Sequence, residues 1–221
     1  MIEVEMTSKD QKNLKWISRL IAILIKIGRI LLYIGIVGII IAMSVTPTII
    51  NHTTVKENKI KFAYSDRSFI IKKDGNKTVY YSDGKKIGTE KDTIVYDNIN
   101  KYFDKYSKKQ LIGYSEAILA ISIAYMFITT FILKYVENIF NNIYREDNPY
   151  TSENLSLFKN IIIYKVVAIL IPFIGMIAFD IALKGDNPFK YSSFSLLEFL
   201  MMIACYYIFK YGCTLKSNNK N

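Results

Sequence analysis

"ILLYIGIVGIIIAMSVTPTII", Ile30 to Ile50, decides the fold. The stretch contains no Asp, Glu, Lys or Arg. About 20 mostly apolar residues let a helix cross the roughly 30 Å hydrocarbon core of a bilayer, so a transmembrane helix is predicted here. The whole chain is segregated rather than uniformly apolar. Hydrophobic residues make up 51% of the 221, and mean hydropathy is +0.18, yet the net charge is +10 and the pI about 9.3. Such averages arise when apolar blocks alternate with charged ones. A basic balance fits nucleic acid, anionic lipid, or the inner loops of a membrane protein. The apolar blocks favour the last, and no base-stacking or phosphate-gripping module is visible, so no direct nucleic acid binding is expected.

Three more apolar segments follow. Leu111–Leu133 holds one charge, Glu116; Ile161–Leu183 holds Lys165 and Asp180; Phe194–Phe209 holds Glu198 and extends to Tyr211. Lys165 and Asp180 can snorkel to opposite surfaces. The predicted fold class is an all-α membrane protein, a four-transmembrane-helix bundle with a small extracellular β-rich insert between helices 1 and 2. The expected parts are a cytoplasmic basic amphipathic arm (1–29), spans at 30–50, 111–133, 161–183 and 194–211, an extracellular insert (51–110), a cytoplasmic helical extension and turn (134–160), an extracellular loop (184–193) and a cytoplasmic tail (212–221). The charged leader is long for the n-region of a signal peptide, so cleavage near Ser44 is not expected.

Lys12, Lys15, Arg19 and Lys26 fall within about 60° of one another on a helix, at 100° per residue. They form a basic stripe suited to the lipid bilayer at its anionic inner surface. Lys and Arg also flank the 134–160 segment and the C-terminal tail, which places both termini in the cytoplasm of a bacterial cell, with the chain in its plasma membrane. The 51–110 loop is itself rich in lysine, but long loops translocate largely regardless of charge.

Within that loop, "IKFAY", "SFIIK" and "TVYYS" are short runs rich in β-branched and aromatic residues. "KDGN" (Lys73–Asn76) and "SDGK" (Ser82–Lys85) supply hairpin turns, since Asp and Gly tolerate positive φ. Ile99, Tyr102, Phe103 and Tyr106 then recur at helical spacing, predicting a short amphipathic helix. Gly38/Ala42, Ala120/Ala124 and Ala178/Ala182 are small-xxx-small pairs expected to pack helix on helix.

Candidate sites are few. Glu116, Asp180 and Glu198 come from three helices and are expected near the outer surface, with Glu116 and Glu198 roughly 6–8 Å inside it by the helical rise. Such carboxylates can form a cation or proton site, or pair with Lys108, Lys109, Lys184 or Lys190. Lys165 has Glu137 or Glu153 as expected partners. The polar turn "YREDNPYTSENLSLFKN" (Tyr144–Asn160) offers Arg145, Glu146, Asp147 and Glu153 as a partner-docking surface. Asn148–Pro149 ends one helix, and Thr151 or Ser152 caps the next, with Glu153 in its first turn.

Catalytic machinery is not expected. His52 is the only histidine, which excludes Ser–His triads elsewhere and an ordinary Cys/His zinc site. Cys205 and Cys213, eight residues apart on one predicted helix, are separated by about 12 Å of rise, too far for a disulfide. No cofactor, no metal and no enzymatic activity are predicted.

"FILKYVENIFNNIYREDNPYTSENLSLFKNIIIYKV" (131–166), with Asn148, Pro149, Tyr150, Thr151 and Phe158–Lys159, resembles the central signature of bacterial four-span membrane proteins of the domain of unknown function 2975 family. "FKYGCTLKSNNK" is similar to that family's closing segment through Gly212 and Leu215. The resemblance covers roughly 111–216. The chain departs from it in a larger outer loop and a tail without acidic residues. The resemblance implies a helical membrane protein with no assigned activity, and its members' association with small DNA-binding regulators implies signalling or immunity. The expected function is therefore a non-enzymatic sensory, regulatory or immunity protein with a protein partner or a homo-oligomeric state. The alternative is a component of an ion or small-molecule transporter or channel.

Overall fold

The computed structural model describes residues 8–146, 149–182 and 196–218. The elements are α1 (Ser8–Asn51), β1 (Thr54–Lys56), β2 (Lys59–Tyr64), β3 (Arg67–Asp74), β4 (Lys77–Ser82), β5 (Lys85–Glu90), α2 (Ile94–Lys105), α3 (Lys108–Glu146), α4 (Ser152–Ala182) and α5 (Leu196–Asn218). The expected 184–193 loop lies outside the described residues.

The all-α four-helix-bundle expectation is corrected. Among the described residues the chain forms five helices and a five-stranded antiparallel sheet in the order β1-β2-β3-β4-β5. Three helices among the described residues, α1, α3 and α4, are long and apolar enough to cross a membrane, and α5 carries a shorter apolar run at Leu200–Leu215. In the most apolar windows of α1 and α3 only 6% of residues are buried, and 17% in α4. Their apolar side chains therefore do not serve to fill a protein interior. The chain divides into two compact units, Val37–Ala120 and Met1–Ile36 with Ile121–Asn221.

The Val37–Ala120 unit holds the sheet. All four strand junctions are two-residue turns, which the register demonstrates. At Asp83–Gly84 both residues have positive φ (48° and 80°), as a turn matching the twist of a hairpin requires. At Gly75–Asn76 only Gly75 does, at 60°. Asn58 and Ser65 supply positive φ at the other two turns without any glycine, which is why only two of the four hairpins are visible as Asp-Gly signals. Asp83 further secures its turn by accepting a hydrogen bond from the Ser68 backbone N–H at 2.7 Å.

Strand alternation places Val55, Ile60, Ile71, Tyr80 and Gly88 in one row across all five strands. Ile60 and Ile71 form the buried centre with Tyr96 of α2, and Val55, Phe62, Tyr80 and Ile99 pack around them. Phe103 extends this cover onto Phe62, with ring centroids 6.5 Å apart. The side of α2 that packs on the sheet is thus Tyr96–Ile99–Phe103, while Tyr102 stacks on Tyr106 at 6.1 Å. A reciprocal cap starts α3: Gln110 Oε1 accepts from the Ser107 N–H at 3.0 Å, and Ser107 Oγ accepts from the Gln110 N–H at 3.3 Å. Lys108 Nζ donates to the carbonyls of Asn51 and Thr53 at 2.7 and 2.9 Å, satisfying acceptors left free as α1 ends.

In the other unit, Ser18, Ala22, Gly28, Arg29, Leu32 and Gly35 lie on the partly or fully buried side of α1, and Leu20, Leu24, Ile27, Leu31 and Ile34 on its exposed side. Ile139 and Ile143 of α3 and Ile161 of α4 form the buried cluster, with Leu14, Leu157 and Phe158 against it. Phe158 stacks on Phe209 of α5 at 5.4 Å. The start of α1, the end of α3, the start of α4 and the end of α5 therefore share one end of this unit. Helices approach closely at Gly35 against Met126 and at Gly175 against Ile121. Neither glycine belongs to the small-residue pairs predicted from sequence. α4 continues through Pro172.

Replacing Ile60 with Ala leaves a cavity in the centre of the sheet and is expected to cost about 2–5 kcal/mol. Replacing Ile87, which is 60% exposed, should stay within about 0.5 kcal/mol. Amide hydrogen exchange in β2 and β3 checks both.

Candidate functional site

Arg29 ends the charged part of α1, one residue before the charge-free run begins. Its Nη1 donates to Glu137 Oε2 of α3, forming an ion pair between residues 108 apart in sequence. Side-chain exposures of 20% and 14% make this a partly buried pair. Arg29 Nε is buried without a partner among the described residues, so the guanidinium is held through its outer nitrogens.

Beyond this pair α1 and α3 run on together, antiparallel, and enclose a cleft of about 320 Å³. It is lined by Arg19, Ala22, Ile23, Lys26, Glu137, Asn141, Tyr144 and Arg145. The Arg19 guanidinium lies over the Tyr144 ring, 5.7 Å from its centroid, a cation–π contact that orients the arginine. Glu137 is the only carboxylate in the lining, and Arg29 already engages it.

The turn between α3 and α4 is organised around Asn154, which is fully buried. Its Nδ2 donates to the Pro149 carbonyl at 3.0 Å, and its Oδ1 accepts from Asn142 Nδ2 of α3 at 3.0 Å. Its backbone N–H donates to Thr151 Oγ1 at 3.1 Å, so Thr151 caps α4. α5 closes the joint. Cys213 Sγ lies 3.6 Å from the Thr151 carbonyl, and the Tyr150 ring occupies the space a side chain at Gly212 would need. Tyr150 also meets Phe209 with centroids 5.3 Å apart. The start of α4 and the end of α5 thus meet in space.

The sheet unit has its own polar cleft of about 440 Å³, whose lining includes Lys56, Glu57, Lys73, Tyr96, Asp97 and Asp104. Its charges are of both signs, and Lys73 Nζ is paired with Asp97 Oδ1 at 2.8 Å. Lys73 and then the Thr93 hydroxyl, 2.6 Å from Asp97 Oδ2, hold the Asp97 carboxyl below the usual carboxylate range. Nearby, the Tyr80 hydroxyl donates to Glu90 at 2.6 Å, and that carboxylate pushes the phenol up to about 12. Burial raises Tyr96.

Of the residues singled out in the sequence, Arg19 and Lys26 join Arg145 in the α1–α3 cleft, whereas Lys12 and Lys15 do not line it. Arg145, Glu146 and Glu153 are exposed around the buried joint. Asp147 lies outside the described residues. Glu116 is half-buried on α3 and Asp180 is exposed on α4. Glu198 falls on α5, its side chain outside the described residues. Among the described residues no three His, Cys, Asp or Glu side chains gather where they could hold a metal ion. Glu137, expected to serve Lys165, engages Arg29 instead, and Lys108, expected near the carboxylates, caps α1. The Arg29–Glu137 pair was not legible because nothing local links residues 108 apart. Asn154 could have been found as the polar residue three positions after a capping Thr.

Glu137→Gln leaves Arg29 without its counter-charge and is expected to destabilise the chain by about 1–3 kcal/mol, between the values for exposed and buried pairs, against about 0.3–1 kcal/mol for exposed Glu153→Gln in the first turn of α4. Asn154→Ala strips two hydrogen bonds from a buried site and is expected to cost about 1–3 kcal/mol. Denaturation midpoints in detergent read both. In the sheet unit, a lowered Asp97 pKa means stabilisation that is present above the unfolded carboxylate value near 3.9 and lost as pH falls through the folded one. The raised Tyr80 stabilises the fold below about 10, and this is lost as pH climbs towards about 12. Asp97→Asn should remove the acid limb and Tyr80→Phe the alkaline one, measured by hydrogen exchange of β3 and β4 against pH.

Comparison with family models, with curated proteins and with solved structures returns no match for this chain.

Proposed function

We propose that the chain is a non-enzymatic integral protein of a bacterial plasma membrane that acts by binding a protein partner or a second copy of itself, in a sensory, regulatory or immunity role. The observation that carries this reading is the sheet unit. A five-stranded meander with its own buried core and a covering helix lies in sequence between two helices of spanning length. Holding a helix in lipid does not need such a module, whereas recognition of another macromolecule does. Its edges are guarded against simple strand addition: β1 has three residues, and β5 carries Lys85 and Lys86.

The location belongs to the same proposal. Lys and Arg flank α1 and the α3–α4 joint, which favours the cytoplasm for that end. The shared end of α1, α3, α4 and α5 supports both termini on that side. The resemblance to the domain of unknown function 2975 family supports a partner-binding role without naming a partner.

Photo-crosslinkers placed at Ile87 and Ile94, both more than half exposed, test the reading in native membranes. A discrete adduct of higher mass is expected. A chain that stays alone under every growth condition would overturn it.

A further inference from the structure

We propose that the cleft between α1 and α3 is a phosphate-binding site, occupied in the membrane by the headgroup of an anionic phospholipid. Charge is the first argument. Arg19, Lys26 and Arg145 line the cleft, and the only carboxylate there, Glu137, is engaged by Arg29. Among the described residues three cations are left without a counter-charge inside the cleft. They come from two helices, so they surround a volume of about 320 Å³ rather than lie along one flat stripe.

Donor chemistry is the second argument. Two guanidinium groups offer forked N–H donors that match phosphate oxygens, and one ammonium adds a point charge. Asn141 and Tyr144 supply neutral donors in the same lining. The cation–π contact with Tyr144 restrains Arg19 beforehand, which lowers the ordering cost of binding.

Depth is the third. Lys26 lies one turn, about 4.5 Å by helical rise, beyond Arg29 and the charge-free run, where headgroups begin. Ile23 lines the cleft, and Ile27, Leu31 and Ile34, on the charge-free side of Lys26, are exposed and apolar, a surface for acyl chains. The proposal separates Arg19, Lys26 and Arg145 from Lys12 and Lys15, which share the basic stripe but not the cleft. It does not depend on the partner-binding reading.

A phosphate oxyanion is the chemistry recognised, and lipid and free phosphate are its two sources. The full chain in neutral detergent is titrated with phosphatidylglycerol, phosphatidylcholine or inorganic phosphate, and bound species are counted by native mass spectrometry. Retention of phosphatidylglycerol over phosphatidylcholine by about 10- to 100-fold is expected from three basic residues. That preference should vanish in the Arg19→Gln/Lys26→Gln/Arg145→Gln variant and persist in Lys12→Gln/Lys15→Gln. Each single Gln variant should reduce it part of the way, which keeps the test valid if the triple variant unfolds. Binding of inorganic phosphate with no lipid preference, lost in the same variants, supports the cleft and assigns free phosphate as its ligand. Equal retention of both lipids with no phosphate bound overturns the proposal, as does a preference that survives the cleft substitutions.

Discussion

Arg29 and Glu137 hold the helical unit to one arrangement. A guanidinium at the edge of a charge-free helix is costly to leave unpaired, and a carboxylate facing it is equally so. Each is tolerable because of the other, and together they fix α1 against α3 in one register. Arg19 then meets the Tyr144 ring, and Lys26 and Asn141 line the same cleft beyond the pair. The cleft's surplus positive charge follows from the pair, since the one carboxylate available is consumed at its floor.

The start of α4 depends on a second polar device of a different kind. Asn154 carries no charge, yet it donates to the Pro149 carbonyl beside the Thr151 N–H, and it reaches back to Asn142 on α3. A buried amide with its hydrogen bonds made specifies geometry more tightly than an apolar contact of the same size. The charged residues Arg145, Glu146 and Glu153 are thereby left on the outside of the joint, with no structural duty at its centre.

Spanning helices were legible because long charge-free runs have few alternative folds. Their limits were less so. The basic arm and first span form one helix, Ser8–Asn51, because no proline separates them and Gly28 alone does not stop a helix. The fourth segment falls on α5, whose apolar run among the described residues is Leu200–Leu215. Two hairpins showed themselves through Asp-Gly; the turns at Asn58 and Ser65 did not, since residues that merely tolerate positive φ carry no strong signal. The cap of α3 was present as Ser107-x-x-Gln110, a pattern readable in sequence. The site residues divided along the same line: those set by local periodicity, such as Arg19 and Lys26, were found, and their counterpart Arg145 was assigned to another surface because only the packing of α1 on α3 brings it across.

The contact between Thr151 and Cys213 joins residues 62 apart. Translation at roughly 5–20 residues per second separates their synthesis by about 3 to 12 seconds. Through that interval α4 starts from its own cap alone, with Tyr150 uncovered and Gly212 not yet made. The joint is therefore assembled in two stages during biogenesis, first by neighbours in sequence and then by α5, and insertion factors meet the first stage rather than the finished one.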